Sequence, residues 1–265
     1  MRNRIPILTY HSIDTSGSVI STSPAVFRRQ MRSLKEAGFR TIALSELIDI
    51  IAANRQLPER TAVLTFDDGF HNFLTEAFPC LDENGFTATV FAVTECCGKY
   101  NDWSGNPPDL PRSELLGWPD IKELSASGIE FGSHTATHPN LTKIDGDEAV
   151  AELARSKETI EDALGKTVRT FAYPYGAFDQ GTKDLASRYF DGGCTTHLGK
   201  VSAGDDLMTL ARLDTYYLSK PAVFERLSTT SFDLYIGMRE RLRQVKAIAS
   251  QSSYGLQPAG SQRGY

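Results

Sequence analysis

Leu64-Thr65-Phe66-Asp67-Asp68-Gly69 sets two adjacent carboxylates at the end of an apolar run, and His134-Thr135-Ala136-Thr137-His138 supplies two imidazoles four residues apart. An open divalent-metal site takes three protein ligands and keeps a position for water. Asp68, His134 and His138 make such a set, and Asp67 stays free to take a proton. Side chains of neighbouring residues at a strand end diverge, so one carboxylate binds while the other works. Two histidines one helical turn apart point to the same side and reach one ion. Two nitrogens and one oxygen suit zinc, while cobalt, nickel and iron accept the same donors. Either motif alone reads as an ordinary turn; together they outline a hydrolytic centre.

The chemistry this arrangement points to is attack of a metal-acidified water on a polarised carbonyl, with Asp67 as base. A departing amine needs an acid, and a histidine is suited to that task near neutral pH. Five histidines are present; His134 and His138 are committed to the ion, His71 falls at a helix start after Gly69, and His197 falls in a polar loop. His11, in Thr9-Tyr10-His11-Ser12, remains, and it is expected on the opposite flank of the ion from Asp67.

These groups need a frame. Ile5 to Tyr10 reads as a strand, and Ser23-Pro24 with Phe27, Met31 and Leu34 reads as a capped amphipathic helix stopped by Gly38. The rhythm recurs with strand Thr41–Leu44, helix Ser45–Ala53, strand Ala62–Phe66, helix Phe73–Asn84 and strand Thr87–Val93. Residues 94–112 form an irregular stretch that reads as a substrate-side loop, in which Tyr100 and Trp103 are candidates for stacking on a sugar ring. A helix from Trp118-Pro119 to Gly128, strand Ile129–Gly132, helix Asp147–Leu164 and strand Val168–Ala172 follow. After these come a helix from Gln180 to Tyr189, short strands near Gly192–Thr196 and Ala211–Thr215, and a charged helix from Ala222 to Ile248. Such alternation predicts a parallel sheet, and in strand-then-helix barrels functional groups gather at the carboxyl ends of the strands. His11, Asp67, Asp68, His134 and Pro174-Tyr175 each fall just after a predicted strand.

With 265 residues the chain can bury one sizeable core, and no boundary favours two domains. Residues 1–248 read as one domain, and residues 249–265, rich in Ser, Gln and Gly, as a disordered tail. A net charge of -5 gives no footprint for nucleic acid or an anionic membrane. No stretch reaches membrane-spanning length and no signal segment is evident, so the expected location is cytoplasmic. Cys80, Cys96, Cys97 and Cys194 lack zinc-ribbon spacing and read as reduced thiols.

Three segments resemble the polysaccharide deacetylases of the NodB-homology type, carbohydrate esterase family 4: Thr65-Phe66-Asp67-Asp68-Gly69, Ser133 to His138, and Phe171-Ala172-Tyr173-Pro174-Tyr175-Gly176. The resemblance covers about residues 5–215 and implies a single-domain distorted (β/α)7 barrel. It implies Asp67 as base, Asp68, His134 and His138 as metal ligands, and the Tyr175 N–H as an oxyanion donor. The family's usual Leu-x-His near the C-terminus has no counterpart, since no histidine follows His197. Ile7-Leu8-Thr9-Tyr10-His11 instead resembles the circularly permuted arrangement of biofilm poly-N-acetylglucosamine deacetylases, which also casts His11 as the acid. Ala172 stands where many members carry an arginine that braces the base; Arg212 is a candidate replacement, and Asp214 a candidate to orient His11.

The expected activity is metal-dependent removal of N-acetyl groups from a sugar or polysaccharide. Two other readings stay open: another C–N hydrolase, such as a cyclic amidase, on the same barrel, and a carbohydrate-binding domain without catalysis.

Overall fold

The computed structural model describes residues 3–107 and 109–254, the side chains of 244 and 246–254 excepted. Eight strands carry the fold: β1 Ile7–Tyr10, β2 Arg40–Ile42, β3 Thr61–Phe66, β4 Thr89–Ala92, β5 Glu130–Ser133, β6 Thr170–Ala172, β7 Gly192–Leu198 and β8 Leu210–Asp214. Every pairing between them is parallel. β1 lies between β3 and β8, with Thr9 opposite Thr65 on one side and opposite Asp214 on the other. This placement closes seven strands into a ring. β2 is the eighth strand and pairs only with the beginning of β3, through Arg40–Ile42 against Thr61–Val63. The expected (β/α)7 barrel is therefore present, and β2 is the distortion in it.

Local sequence accounts for the helices between strands. α1 (Pro24–Glu36) starts at Ser23, whose hydroxyl accepts the Val26 N–H, and buries Phe27, Met31 and Leu34. α2 spans Leu44–Ala52, and α3 spans Phe78–Asn84. The run predicted as one helix over Phe73–Asn84 opens instead with a wide π-type turn, Phe73–Ala77, ahead of α3. Pro79 has no N–H to give to a regular ladder, and the wider turn accommodates that gap. α4 (Trp118–Ala126) is capped by Asp120, which accepts the Gly117 N–H at 2.8 Å. α5 (Gly146–Leu164) is capped by Asp145 and stopped by Gly165 at φ +63°. α6 covers Gln180–Ala186.

The helix predicted over Ala222–Ile248 is two helices, α7 (Pro221–Phe224) and α8 (Thr230–Tyr254). Thr229 makes the break: its hydroxyl donates to Arg226 O at 2.8 Å and accepts the Phe232 N–H at 3.3 Å. Such local bonds compete with the helical ladder and restart it as a cap. α8 continues past Ala249, where the disordered tail was expected to begin, and the rest of that tail, residues 255–265, lies outside the described residues.

Strand alternation sorts the core into two layers. Leu8, Tyr10, Leu64 and Phe66 face outward against the helices. Ile7, Val63, Phe91, Ala172, Cys194 and Leu210 face inward, where Leu44, Leu47, Ile48 and Ile51 of α2 join them. A Cβ on Gly192 would meet Ile48 Cδ1 at 2.5 Å, so α2 presses directly onto the start of β7. That helix plugs the amino end of the barrel and leaves the carboxyl end for polar groups. All four cysteines are unbridged.

Candidate active site

The inward series Val63, Thr65, Asp67 delivers the Asp67 carboxylate to the carboxyl end of the barrel, and its N–H is held by Tyr10 O at 3.0 Å. The opposing inward residue on β8 is Arg212. Its Nη1 and Nη2 each donate to one Asp67 oxygen at 2.7 Å, and its Nε donates to Thr195 O at 2.9 Å. Both side chains are buried. Burial pushes the Asp67 carboxyl up, but the Arg212 guanidinium and then His11 outweigh it and hold the group well below the usual carboxylate range. A base that stays ionised, with both oxygens fixed by a planar fork, is the result.

His11 follows β1, and its Nε2 stands 3.7 Å from Asp67 Oδ2. The expectation of opposite flanks is corrected: the parallel pairing of β1 with β3, Tyr10 opposite Phe66, sets the two strand ends side by side. About a quarter of the His11 side chain, 26%, is exposed, against 4% for Asp67. The imidazole forms the open side of the pair. Asp214 does not orient it; its carboxylate accepts the Tyr216 N–H at 2.9 Å and caps the turn after β8.

Asp68 leaves the strand direction at once. It adopts φ 70° and Gly69 φ 72°, a left-handed pair that swings the second carboxylate away from the first. Asp68 Oδ1 lies 3.5 Å from His134 Nε2 and 3.4 Å from His138 Nε2, and the two Nε2 atoms are 3.2 Å apart. Ligand bonds of about 2.0–2.1 Å in a tetrahedral set place donor atoms about 3.3 Å apart, so the three donors fit a divalent ion. His134 Nδ1 is bonded to Ala172 O at 2.8 Å, which makes Nδ1 the donor and leaves the Nε2 lone pair facing the centre. Burial holds the His138 imidazole well below its ordinary pKa, in the neutral form a ligand needs.

The histidines do not share a helical turn, as their spacing had suggested. Thr135 and His138 both have positive φ, 67° and 65°, and residues 134–138 form a tight loop after β5. Glu152, buried on α5, shapes that loop by accepting from Ala136 N–H at 2.8 Å, Thr137 N–H at 2.9 Å and Thr137 Oγ1 at 2.8 Å. Sequence reasoning missed Glu152. The available signal was a carboxylate placed on the stripe that α5 buries, beside Ala149 and Leu153.

Tyr175 sits at φ 60° in the turn after β6. Among the described residues its N–H donates to no acceptor, while its hydroxyl donates to Ser104 O at 3.1 Å. Its ring meets His138 edge-on at 4.7 Å. Of six non-glycine residues with positive φ among the described residues, four (Asp68, Thr135, His138 and Tyr175) are in this cluster, so backbone strain is concentrated where these side chains converge.

The proposed sugar stackers are otherwise engaged. Trp103 is buried with its ring 4.6 Å from that of His138, and the Tyr100 ring is covered by the Arg112 guanidinium at 3.4 Å. His71 and His197 lie outside the cluster, the latter with its ring 5.6 Å from that of Phe178.

The sequence profile of the polysaccharide deacetylase family matches residues 54–189. The Bacillus subtilis (strain 168) protein YxkH is 26% identical over 234 residues, covering 88% of this chain and 76% of that protein. The poly-beta-1,6-N-acetyl-D-glucosamine N-deacetylase of Escherichia coli (strain K12) is 25% identical over 146 residues, covering 50% of this chain and 21% of that much longer protein. Among solved structures, Streptococcus pyogenes deacetylase PplD in complex with acetate aligns with TM-score 0.71 at 26% identity, over 81% of this chain and 93% of that one. IcaB from Ammonifex degensii aligns with TM-score 0.71 at 25% identity, over 86% of this chain and 97% of that one. His11 and Arg212 fall outside the span that the profile matches, yet both reach Asp67 inside it. With the profile spanning half of its length, and the same barrel in these structures, the chain belongs to the polysaccharide deacetylase family.

Proposed function

We propose that this protein is a divalent-metal-dependent hydrolase that removes acetyl groups from N-acetylated saccharides. The observation that carries the reading is the meeting of three ion-spaced donors, Asp68, His134 and His138, with a separate carboxylate, Asp67, that is braced by Arg212 and faces His11. The donor set favours zinc, with cobalt or nickel as substitutes. An ion bound there supplies Lewis acidity to the acyl carbonyl and acidifies water.

Asp67 takes the proton of the attacking water, and the bidentate grip of Arg212 keeps the carboxylate ionised and aimed. The Tyr175 N–H, without an acceptor of its own among the described residues, donates to the oxyanion as the carbonyl becomes tetrahedral. His11, on the solvent side of Asp67, gives its proton to the departing nitrogen. The products are acetate and a free amine on the sugar. Relatives named for deacetylation of poly-beta-1,6-N-acetyl-D-glucosamine and of chitin support an N-acetylglucosamine substrate.

Metal analysis combined with acetate release from N-acetylglucosamine monomers, oligomers and polymers tests the reading. About one ion per chain and metal-dependent acetate release are expected. A metal-free protein that binds glycans without turnover would instead make it a binding domain, and release of ammonia or ring opening of a cyclic amide would make it a different C–N hydrolase.

A further inference from the structure

α8 is apolar on two opposite faces. Phe232 and Ile236 are buried against the body of the protein. Two bonds tie the helix to β7: Leu198 N–H donates to Glu240 at 3.1 Å, and Arg243 Nη1 donates to Thr196 O at 3.0 Å. Leu234, Met238, Leu242 and Val245 are 73%, 55%, 53% and 63% exposed. Their spacing puts all four on one stripe, away from the buried pair. A single exposed leucine is ordinary, but four on one face form an apolar surface without cover among the described residues.

Charge selects the occupant. The helix carries Arg239, Arg241, Arg243 and Lys246 against two acids, Asp233 and Glu240. Asp233 pairs with Lys200 Nζ at 2.5 Å, while Glu240 accepts the Leu198 N–H and lies 3.9 Å from Arg243 Nη1, so Arg239 and Arg241 are the arginines of the helix not matched to an acid on it. Arg241 is exposed, and helical spacing sets it at the edge of the apolar stripe, beside Leu234. The Arg239 guanidinium lies over Tyr217 and Tyr235 at 5.2 and 5.4 Å, and Tyr217 touches Tyr216, which is 57% exposed. A second copy of this face would set arginine against arginine. An apolar stripe with Arg241 at one edge, and Arg239 with its tyrosines beyond the other, matches a helix lying in a lipid headgroup layer, where long cationic side chains reach the phosphates.

We propose that α8 docks the protein on an anionic phospholipid surface, as a peripheral contact. The net charge of -5 does not oppose this, because charges more than about 10 Å from the surface are screened at ordinary ionic strength. Tyr216 and Tyr217 belong to the turn at the carboxyl end of β8, the end at which the candidate site lies, so docking sets that site close to the lipid.

Sedimentation of the full chain with phosphatidylcholine vesicles, with and without phosphatidylglycerol, tests the proposal by a readout independent of catalysis. Binding to the anionic vesicles is expected, weakening as salt rises. The double variant Met238→Asp with Leu242→Asp, both positions exposed, should bind at least about tenfold more weakly while its thermal unfolding stays unchanged. Equal binding by parent and double variant, equal binding to neutral and anionic vesicles, or no binding to either would overturn it. A concentration-dependent dimer abolished by the same double variant would assign the face to a second copy and overturn it as well.

Discussion

Arg212 on β8 and Asp67 on β3 form a buried two-pronged ion pair, both contacts 2.7 Å, across the intervening strand β1. The pair therefore depends on β1 closing the ring between β3 and β8. Removing one partner of a buried pair strands a charge and costs about 3–5 kcal/mol. Arg212→Met should lower stability by roughly that amount in urea unfolding, and abolish acetate release. Arg212→Lys, which keeps charge but loses the planar fork, should recover more stability than activity.

Asp67→Asn keeps the shape of the base and removes its proton affinity. Metal content should stay at the parental level, and turnover should fall by about 10²–10⁴-fold. Turnover near the parental value would remove Asp67 from the role of base.

His11→Ala should reduce turnover by a similar factor, about 10²–10⁴-fold, with metal affinity unchanged, because His11 meets Asp67 and is not among the ligand set. Parallel losses of metal and turnover would make His11 a ligand or a structural residue.

Glu152 bonds to no atom of the candidate ligand set, yet it accepts three hydrogen bonds from Ala136 and Thr137, between His134 and His138. Glu152→Ala should weaken metal binding by about 10–100-fold in chelator competition, as losses of supporting groups around metal ligands do. An unchanged affinity would show that the loop keeps its shape without the carboxylate.

The loop after His11 is organised by Asp14, which accepts from the Ser16 N–H at 2.7 Å, from Ser21 Oγ at 2.6 Å and from the Ser12 hydroxyl. Partial burial raises its pKa, but these hydrogen bonds prevail and the folded value lies below the ordinary one. A carboxyl with a depressed folded pKa contributes stability that is fully present above its unfolded pKa of about 3.9 and is lost as pH falls through the folded value. Asp14→Ala should therefore narrow the gap in Tm between neutral pH and pH of about 3. Equal gaps in parent and variant would show that Asp14 titrates alike in both states.

Much of the site is legible in the chain because it depends on strand ends. Asp67, Asp68, His134 and Tyr175 each follow a short apolar run, and a parallel barrel gathers all such ends on one face. Glu152 was not legible, because a carboxylate on a helix is ordinarily solvated and only the packing of α5 against the loop reveals what it holds. The split between α7 and α8 had a signal in Ser228-Thr229-Thr230-Ser231, which favour caps over helix interiors, but only the bonds of the Thr229 hydroxyl show where the helix restarts.

Residue types and their spacing marked the candidate ligand set, the candidate base and the strand and helix rhythm, and three short motifs carried the resemblance to the family. Those features are local or strictly periodic, and periodicity survives in one dimension. The tertiary structure decided that Arg212 braces Asp67, that His11 stands beside Asp67, that Trp103 packs on His138, and that the outer face of α8 finds no cover among the described residues. Each of these depends on which strands become neighbours and which helix faces find partners, and long-range closure settles both.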